Sequence, residues 1–289
     1  MEVCAKAGCR NILLFVLFLS IPVAVLAEEP DFEPIHWAYS SFFGTGWYQV
    51  EDSRSVFVMR MPIRQTLRES LLSDTGERQI GVQIKYPLTL GLHDVDDIGG
   101  ILEQDNFGTV SFAPGIELEF PINDRWYMRS FAHVGWGKEL NTGESAWIYY
   151  AGVKSQYSFP GRKYDWYLLN SLYYAGYAPD SGRSDHLAVA QVGAELRQPL
   201  GKATLFGRNI DLHWSLMYSF MGNELHFDLP DGNFDPIEDQ FEVTLAMSLR
   251  DGPYKIWFFN VHRLGVGYQA SSNGQFKAIT FHMRSWFTK

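Results

Sequence analysis

The sequence predicts an all-β fold: a transmembrane antiparallel β-barrel of twelve strands. Three observations point there. Alternating apolar and polar residues recur in long runs along most of the chain, the pattern of strands with two unlike faces. The chain is rich in aromatics, at 16%, yet its mean hydropathy is only −0.15. After residue 27 no stretch holds eighteen consecutive apolar residues, so no second helical span is expected, whereas barrel strands spread their apolar residues thinly.

The N-terminus sets the compartment. Lys6 and Arg10 precede the apolar run "NILLFVLFLSIPVAVLA", which ends on the small residues of Val25-Leu26-Ala27. This reads as a secretory signal peptide over 1–27, cleaved on export. Residues 28–36 form a short acidic segment, and 37–289 form the barrel. Both cysteines, Cys4 and Cys9, lie in the signal, which leaves the mature chain without disulfides or thiolate metal sites. The whole chain carries a formal charge of −9; removing 1–27, with a net +1, takes it to −10. That balance argues against nucleic acid as a partner.

Twelve runs follow, at 37–50, 55–66, 78–92, 107–122, 126–140, 146–159, 164–177, 186–198, 209–222, 240–249, 254–269 and 275–287. Most exceed ten residues, long for a soluble sheet and suited to a tilted strand crossing a bilayer. The turns at 123–124, 160–163 and 251–253 are short, while the connections 93–106 and 223–239 are long and acidic. Short turns on the periplasmic side and longer outer loops are the barrel pattern. The short "EDSRS" and the long "RESLLSDTGER" depart from it, in the region of the first two strands.

The faces separate cleanly. In 209–222, Ile210, Leu212, Trp214, Leu216, Tyr218 and Phe220 share one parity, and Asp211, His213 and Ser215 the other. In 126–136 the apolar parity runs from Trp126 to Trp136, ten residues apart. At ~3.3 Å per residue and a tilt near ~40°, that is roughly 25 Å of height, the apolar band between two aromatic girdles. The polar parity holds Lys85, Glu117, Glu119, Arg129, His133, Lys154, Glu195, Arg197, His213, His282 and Arg284, all expected to line the lumen. A pairing of Ile122 with Trp126 would set Glu119 opposite Arg129, Glu117 opposite Phe131 and Gly115 opposite His133. The resulting mixed-sign network would plug the lumen in part and leave some water-filled space.

The motifs for chemistry are weak. "QASSNGQF" matches the Ser-Asn-Gly of the outer-membrane phospholipase A run His-x-Ser-Asn-Gly, but Ala270 stands where the histidine belongs, so a hairpin turn is the expectation. In "DLHWS", His213 and Ser215 share the inward face. Alternate residues lie nearly ~7 Å apart at Cα, a poor spacing for a nucleophile and its base. The acidic loops lack calcium-loop spacing, and no cofactor is implied.

The stretches "GIELEFPINDRWYMRSFAHVGWG", "AGVKSQYSF" and "AITFHMRSWF" resemble an autotransporter-type translocator barrel, over most of 37–289. The closest likeness is to solitary autotransporter-like barrels without a passenger domain. The resemblance implies the cell outer membrane of a Gram-negative bacterium, contact with its lipid and lipopolysaccharide, and insertion by the barrel assembly machinery. It also implies that Phe287, the near-terminal aromatic, serves as the assembly signal. The leading expectation is a non-enzymatic barrel, either a narrow, porin-like passive channel or a structural surface protein. Two alternatives stand beside it: a lipid-active enzyme, and an adhesin or receptor working through the outer loops.

Overall fold

A computed structural model describes residues 42–50, 54–73, 77–93, 107–205, 207–225, 237–250, 252, 254–256 and 259–283. The signal peptide at 1–27, the segment 28–36, most of the loops 93–106 and 223–239, Arg284 and Phe287 lie outside the described residues. The strands run in chain order as β1 Thr45–Val50, β2 Arg54–Arg68, β3 Leu71–Leu72, β4 Arg78–Gln79, β5 Gly81–His93 and β6 Phe107–Phe112. Then come β7 Gly115–Asn123, β8 Trp126–Glu139, β9 Ser145–Phe159, β10 Asp165–Pro179, β11 Asp185–Leu205 and β12 Arg208–Leu225. Last are β13 Ile237–Leu249, β14 Tyr254–Ile256, β15 Phe259–Val261, β16 Arg263–Ala270 and β17 Phe276–His282.

All pairings are antiparallel, and the sheet closes on itself where β1 meets β17, from Thr45 opposite Phe281 to Val50 opposite Phe276. β6 and β7 occupy one position in the wall, since both pair with β5 on one side and β8 on the other. The wall is therefore a closed ring of twelve strand positions. The interruption falls at Ala113-Pro114, where proline has no N–H for the ladder. Ala113 N donates instead to the Pro87 carbonyl, and Val134 N to that of Pro114. Two small hairpins, β3–β4 and β14–β15, form sheets of their own.

Several sequence-derived boundaries shift. Of the first run, 37–41 lie outside the described residues and the strand occupies Thr45–Val50; just before it, Phe42 meets Tyr150 edge-on and Phe43 stacks on Tyr48. The run 186–198 reaches Leu205 as β11, with an irregularity at Pro199, another residue unable to donate. The run 254–269 is three pieces, β14, β15 and β16. Ile122 does not pair with Trp126, because a register shift after Pro121 brings Asn123 opposite Trp126. Above that shift Glu119 faces Arg129, Glu117 faces Phe131 and Gly115 faces His133. The Ser272-Asn273-Gly274 stretch is a hairpin turn, with Gly274 at φ 77° and the Ser271 hydroxyl donating to the Asn273 side chain at 2.6 Å.

Parity decides which way each side chain points. Outside, large apolar residues stand open all round the ring, among them Ile116, Val134, Leu168, Leu172, Val192, Leu216, Val243, Leu264 and Ile279. Aromatics border this belt. Trp136, Trp147 and Phe220 lie toward the end bearing the long loops; Trp126, Phe159, Trp166 and Trp214 lie toward the end bearing the short turns. The Trp126 indole N–H donates to Ser155 Oγ at 2.8 Å, which satisfies a donor on the outward face. No soluble monomer exposes an apolar surface of this extent. Such a belt on a closed ladder belongs in lipid, where every backbone N–H and C=O must be paired within the protein.

One consequence is direct. Leu216 is 58% exposed near the middle of β12. In water, Leu216→Arg would change stability little. In a bilayer it should cost about 2–4 kcal/mol, read as a lower urea midpoint in lipid vesicles, while the same variant in detergent-free aqueous peptide fragments shows no comparable effect.

Candidate functional site: the lumen

The lumen has two unlike halves. Toward the long-loop end an apolar cluster points inward: Val58, Ile148, Tyr177, Val189, Met221 and Phe276 are all buried together, with Thr109, Ser111 and Gln240 also buried at that end. Tyr150 marks the boundary. Its ring stacks on His133 at 4.4 Å with an interplanar angle of 11°, and its hydroxyl accepts from Arg60 Nη2 at 2.8 Å. His133 in turn places Nδ1 3.0 Å from the Ala113 carbonyl oxygen. Below these come hydroxyls and amides: Ser171, Gln191 and Ser219 form a chain across β10, β11 and β12 with steps of 2.8 and 2.9 Å.

The half toward the short turns is ionic. On β5, β7 and β8, Lys85 Nζ lies 2.8 Å from Glu117, and Arg129 bridges Glu117, at 3.6 Å, and Glu119. Ser70, from the β2–β3 connection, donates its hydroxyl to Glu119. The long inner connection thus folds back to the barrel mouth. Lys154 sits over the Phe131 ring at 5.2 Å, a cation on an aromatic face. On the opposite wall, Asp211 is fully buried between Arg197, whose Nε donates at 2.8 Å, and Arg250, whose Nη2 donates at 2.8 Å. Near the seam, Glu242 accepts from Thr280 at 2.6 Å and meets His282 Nε2 at 2.9 Å. Gly267 makes room for this group: a Cβ there would come within 2.4 Å of Thr280 Oγ1 and 2.8 Å of Glu242.

A cavity of about 430 Å³ opens among the ionic residues at the short-turn end. Its wall includes Glu119, Tyr127, Gln156, Glu195, His213 and Arg263. At its edge, Glu195 binds Arg263 Nη1 at 2.7 Å through one oxygen and His213 Nδ1 at 2.7 Å through the other. His213 Nε2 lies 2.8 Å from Ser248 Oγ. The hydroxyl beside His213 is therefore Ser248 on the neighbouring strand and not Ser215 on its own. Cross-strand register decides this, and a single strand's spacing does not contain it.

Ten of the eleven residues expected to line the lumen are described, and all ten lie on inward parity: Lys85, Glu117, Glu119, Arg129, His133, Lys154, Glu195, Arg197, His213 and His282. Sequence reasoning missed Arg60, Tyr150, Ser248, Arg250 and Arg263. Arg250 sits in a turn and Ser248 beside one, where alternation fades. Among the described residues, no group of three His, Cys, Asp or Glu is placed to hold a metal ion.

The architecture is that of a closed, twelve-position antiparallel transmembrane barrel. No family model matches the chain, and no curated protein matches it. Solved structures do. The transport unit of the autotransporter AIDA-I from Escherichia coli aligns at a TM-score of 0.50 and 11% identity, over 94% of this chain and 97% of that one. The β domain of the Bordetella autotransporter BrkA aligns at 0.48 and 8% identity, over 82% and 94%. The alignment with the AIDA-I transport unit shows a shared barrel fold at very low sequence identity.

The network yields a stability prediction. Arg129 is 4% exposed and answers two buried carboxylates. Arg129→Met takes a guanidinium from both, leaving Glu117 with Lys85 and Glu119 with the Ser70 hydroxyl, and should cost about 3–5 kcal/mol, measured as reduced folded fraction in urea titration. Arg162→Met, in an exposed turn, should change it by less than about 0.5 kcal/mol.

Proposed function

We propose that this chain is an integral barrel of the Gram-negative outer membrane, sealed across its lumen, and that it acts as a structural surface barrel rather than a passive channel. One observation carries the reading: the inward residues of the long-loop half include a buried apolar cluster, against which Phe42 and Phe43 pack from the segment before β1. A water-filled pore needs polar walls along its whole length, as in porins. Here water reaches a cavity at one end, and apolar side chains fill the other.

The short-turn end, in this reading, faces the periplasm and the long acidic loops face outward. A signal peptide at 1–27 would deliver the chain, Phe287 would engage the barrel assembly machinery, and the apolar belt would contact outer-membrane lipid and lipopolysaccharide. The translocator fold supports the setting, and nothing in the likeness extends to a cargo.

Planar-bilayer recording tests the seal. The refolded protein, shown to be folded by heat-modifiable gel migration, should give no discrete conductance steps. A double variant, Tyr150→Ala with Phe276→Ala, removes two rings from the apolar half and should produce steps. Regular steps from the unaltered protein would overturn the reading.

A further inference from the structure

We propose that the periplasm-facing cavity is a hydrolytic site for small acyl esters, with Ser248 as nucleophile, His213 as general base and Glu195 as the residue that orients the imidazole. This goes beyond the sealed-barrel reading and departs from the non-enzymatic expectation drawn from sequence.

The atoms stand in the order that nucleophilic catalysis requires. Ser248 Oγ is 2.8 Å from His213 Nε2, and His213 Nδ1 is 2.7 Å from Glu195 Oε1. With Nδ1–H donated to the carboxylate, Nε2 is the free lone pair that accepts the serine proton. Each residue sits on a different strand: Glu195 on β11, His213 on β12, Ser248 on β13. A rigid wall holds them, and His213 and Glu195 are buried at 7% and 6% exposure. Arg263 grips the second oxygen of Glu195, which fixes the carboxylate in turn.

A donor for the oxyanion is also in place. Arg263 lies directly across the β13–β16 pairing from Ser248, on the same inward face. Its Nε–H is buried with no hydrogen-bond partner among the described residues, and the side chain lines the cavity. An unsatisfied buried donor is costly, and an oxygen that gains negative charge beside Ser248 would satisfy it.

The reaction closes in two halves. Ser248 Oγ attacks the ester carbonyl carbon as its proton passes to His213 Nε2, and the oxyanion accepts from Arg263 Nε–H. The bond from carbon to the leaving oxygen breaks, and His213 returns the proton to that oxygen, releasing the alcohol. Water then gives a proton to His213 and attacks the acyl carbon; the acyl–Ser248 bond breaks, Ser248 regains the proton, and the carboxylic acid departs. The cavity of about 430 Å³ sets the substrate class: it is at the small end for ligand pockets and takes a short acyl chain. Arg197 and Arg250 are committed to Asp211, so the site does not select a strongly anionic ester.

The test uses the refolded full barrel with a fluorophosphonate probe and p-nitrophenyl butyrate. Peptide mass mapping should find the probe on Ser248, and Ser248→Ala should lose both labelling and hydrolysis. His213→Asn, with heat-modifiable migration intact, should slow labelling by about 10²-fold or more. Ser215→Ala should hydrolyse at the unaltered rate. A folded wild-type barrel that takes no probe at Ser248 overturns the proposal without reference to any variant. So does a Ser248→Ala protein that hydrolyses at the wild-type rate. Neither result bears on conductance, so the seal and the site fail independently.

Discussion

The molecule depends on closure of one hydrogen-bonded ladder. Lipid offers no partner for a backbone N–H or C=O, so a sheet that stopped short would leave an edge of unpaired groups in hydrocarbon. The pairing of β1 with β17 removes that edge. Once the ring closes, period-two alternation has only two destinations, outward to lipid or inward to the lumen. The apolar belt and the buried charges are the two consequences of that one constraint.

Inside the ring, a second constraint acts. Twelve strands enclose more space than an eight-strand barrel, whose side chains can fill it, and the protein treats the two ends differently. Where apolar residues point inward, at Ile148, Val189 and Phe276, they pack as a small core. Where charged residues point inward, those described are drawn into ionic, hydrogen-bonded or cation–aromatic groups, because an unpaired charge there is expensive. Asp211 shows the principle: it is wholly buried, and two guanidinium groups meet it. Among the described residues the ionic half holds a cavity of about 430 Å³, since branching salt bridges do not fill space as closely as rings and methyl groups do.

Much of this was legible in the chain. Alternation is a local property, so the faces of β8, β9 and β12 can be read from single residues, as can the turn at Asn273-Gly274. Interruptions were harder. The break at Ala113-Pro114 and the pieces after residue 254 depend on where a proline or a turn meets the ladder. The inward turn of Phe42 is invisible locally, because its place is set by Tyr150, far along the chain. The candidate site shows the limit most clearly. His213 stood out in sequence, and Ser215, two residues on, was too poorly spaced to pair with it; Ser248 reaches it across the β12–β13 pairing, 35 residues later. Sequence supplied the face, and only register could supply the neighbour.

The inward–outward parity is the central claim, and spin-label accessibility tests it most directly. Cys4 and Cys9 are the chain's two cysteines, so replacing both with serine gives a clean background. Single cysteines would then be placed at successive positions from 211 to 220 and labelled in lipid vesicles. The account predicts a two-residue oscillation, with oxygen collisions highest at Leu212, Trp214, Leu216, Tyr218 and Phe220 and low at the odd positions between. A flat profile, or maxima at the odd positions, would contradict it.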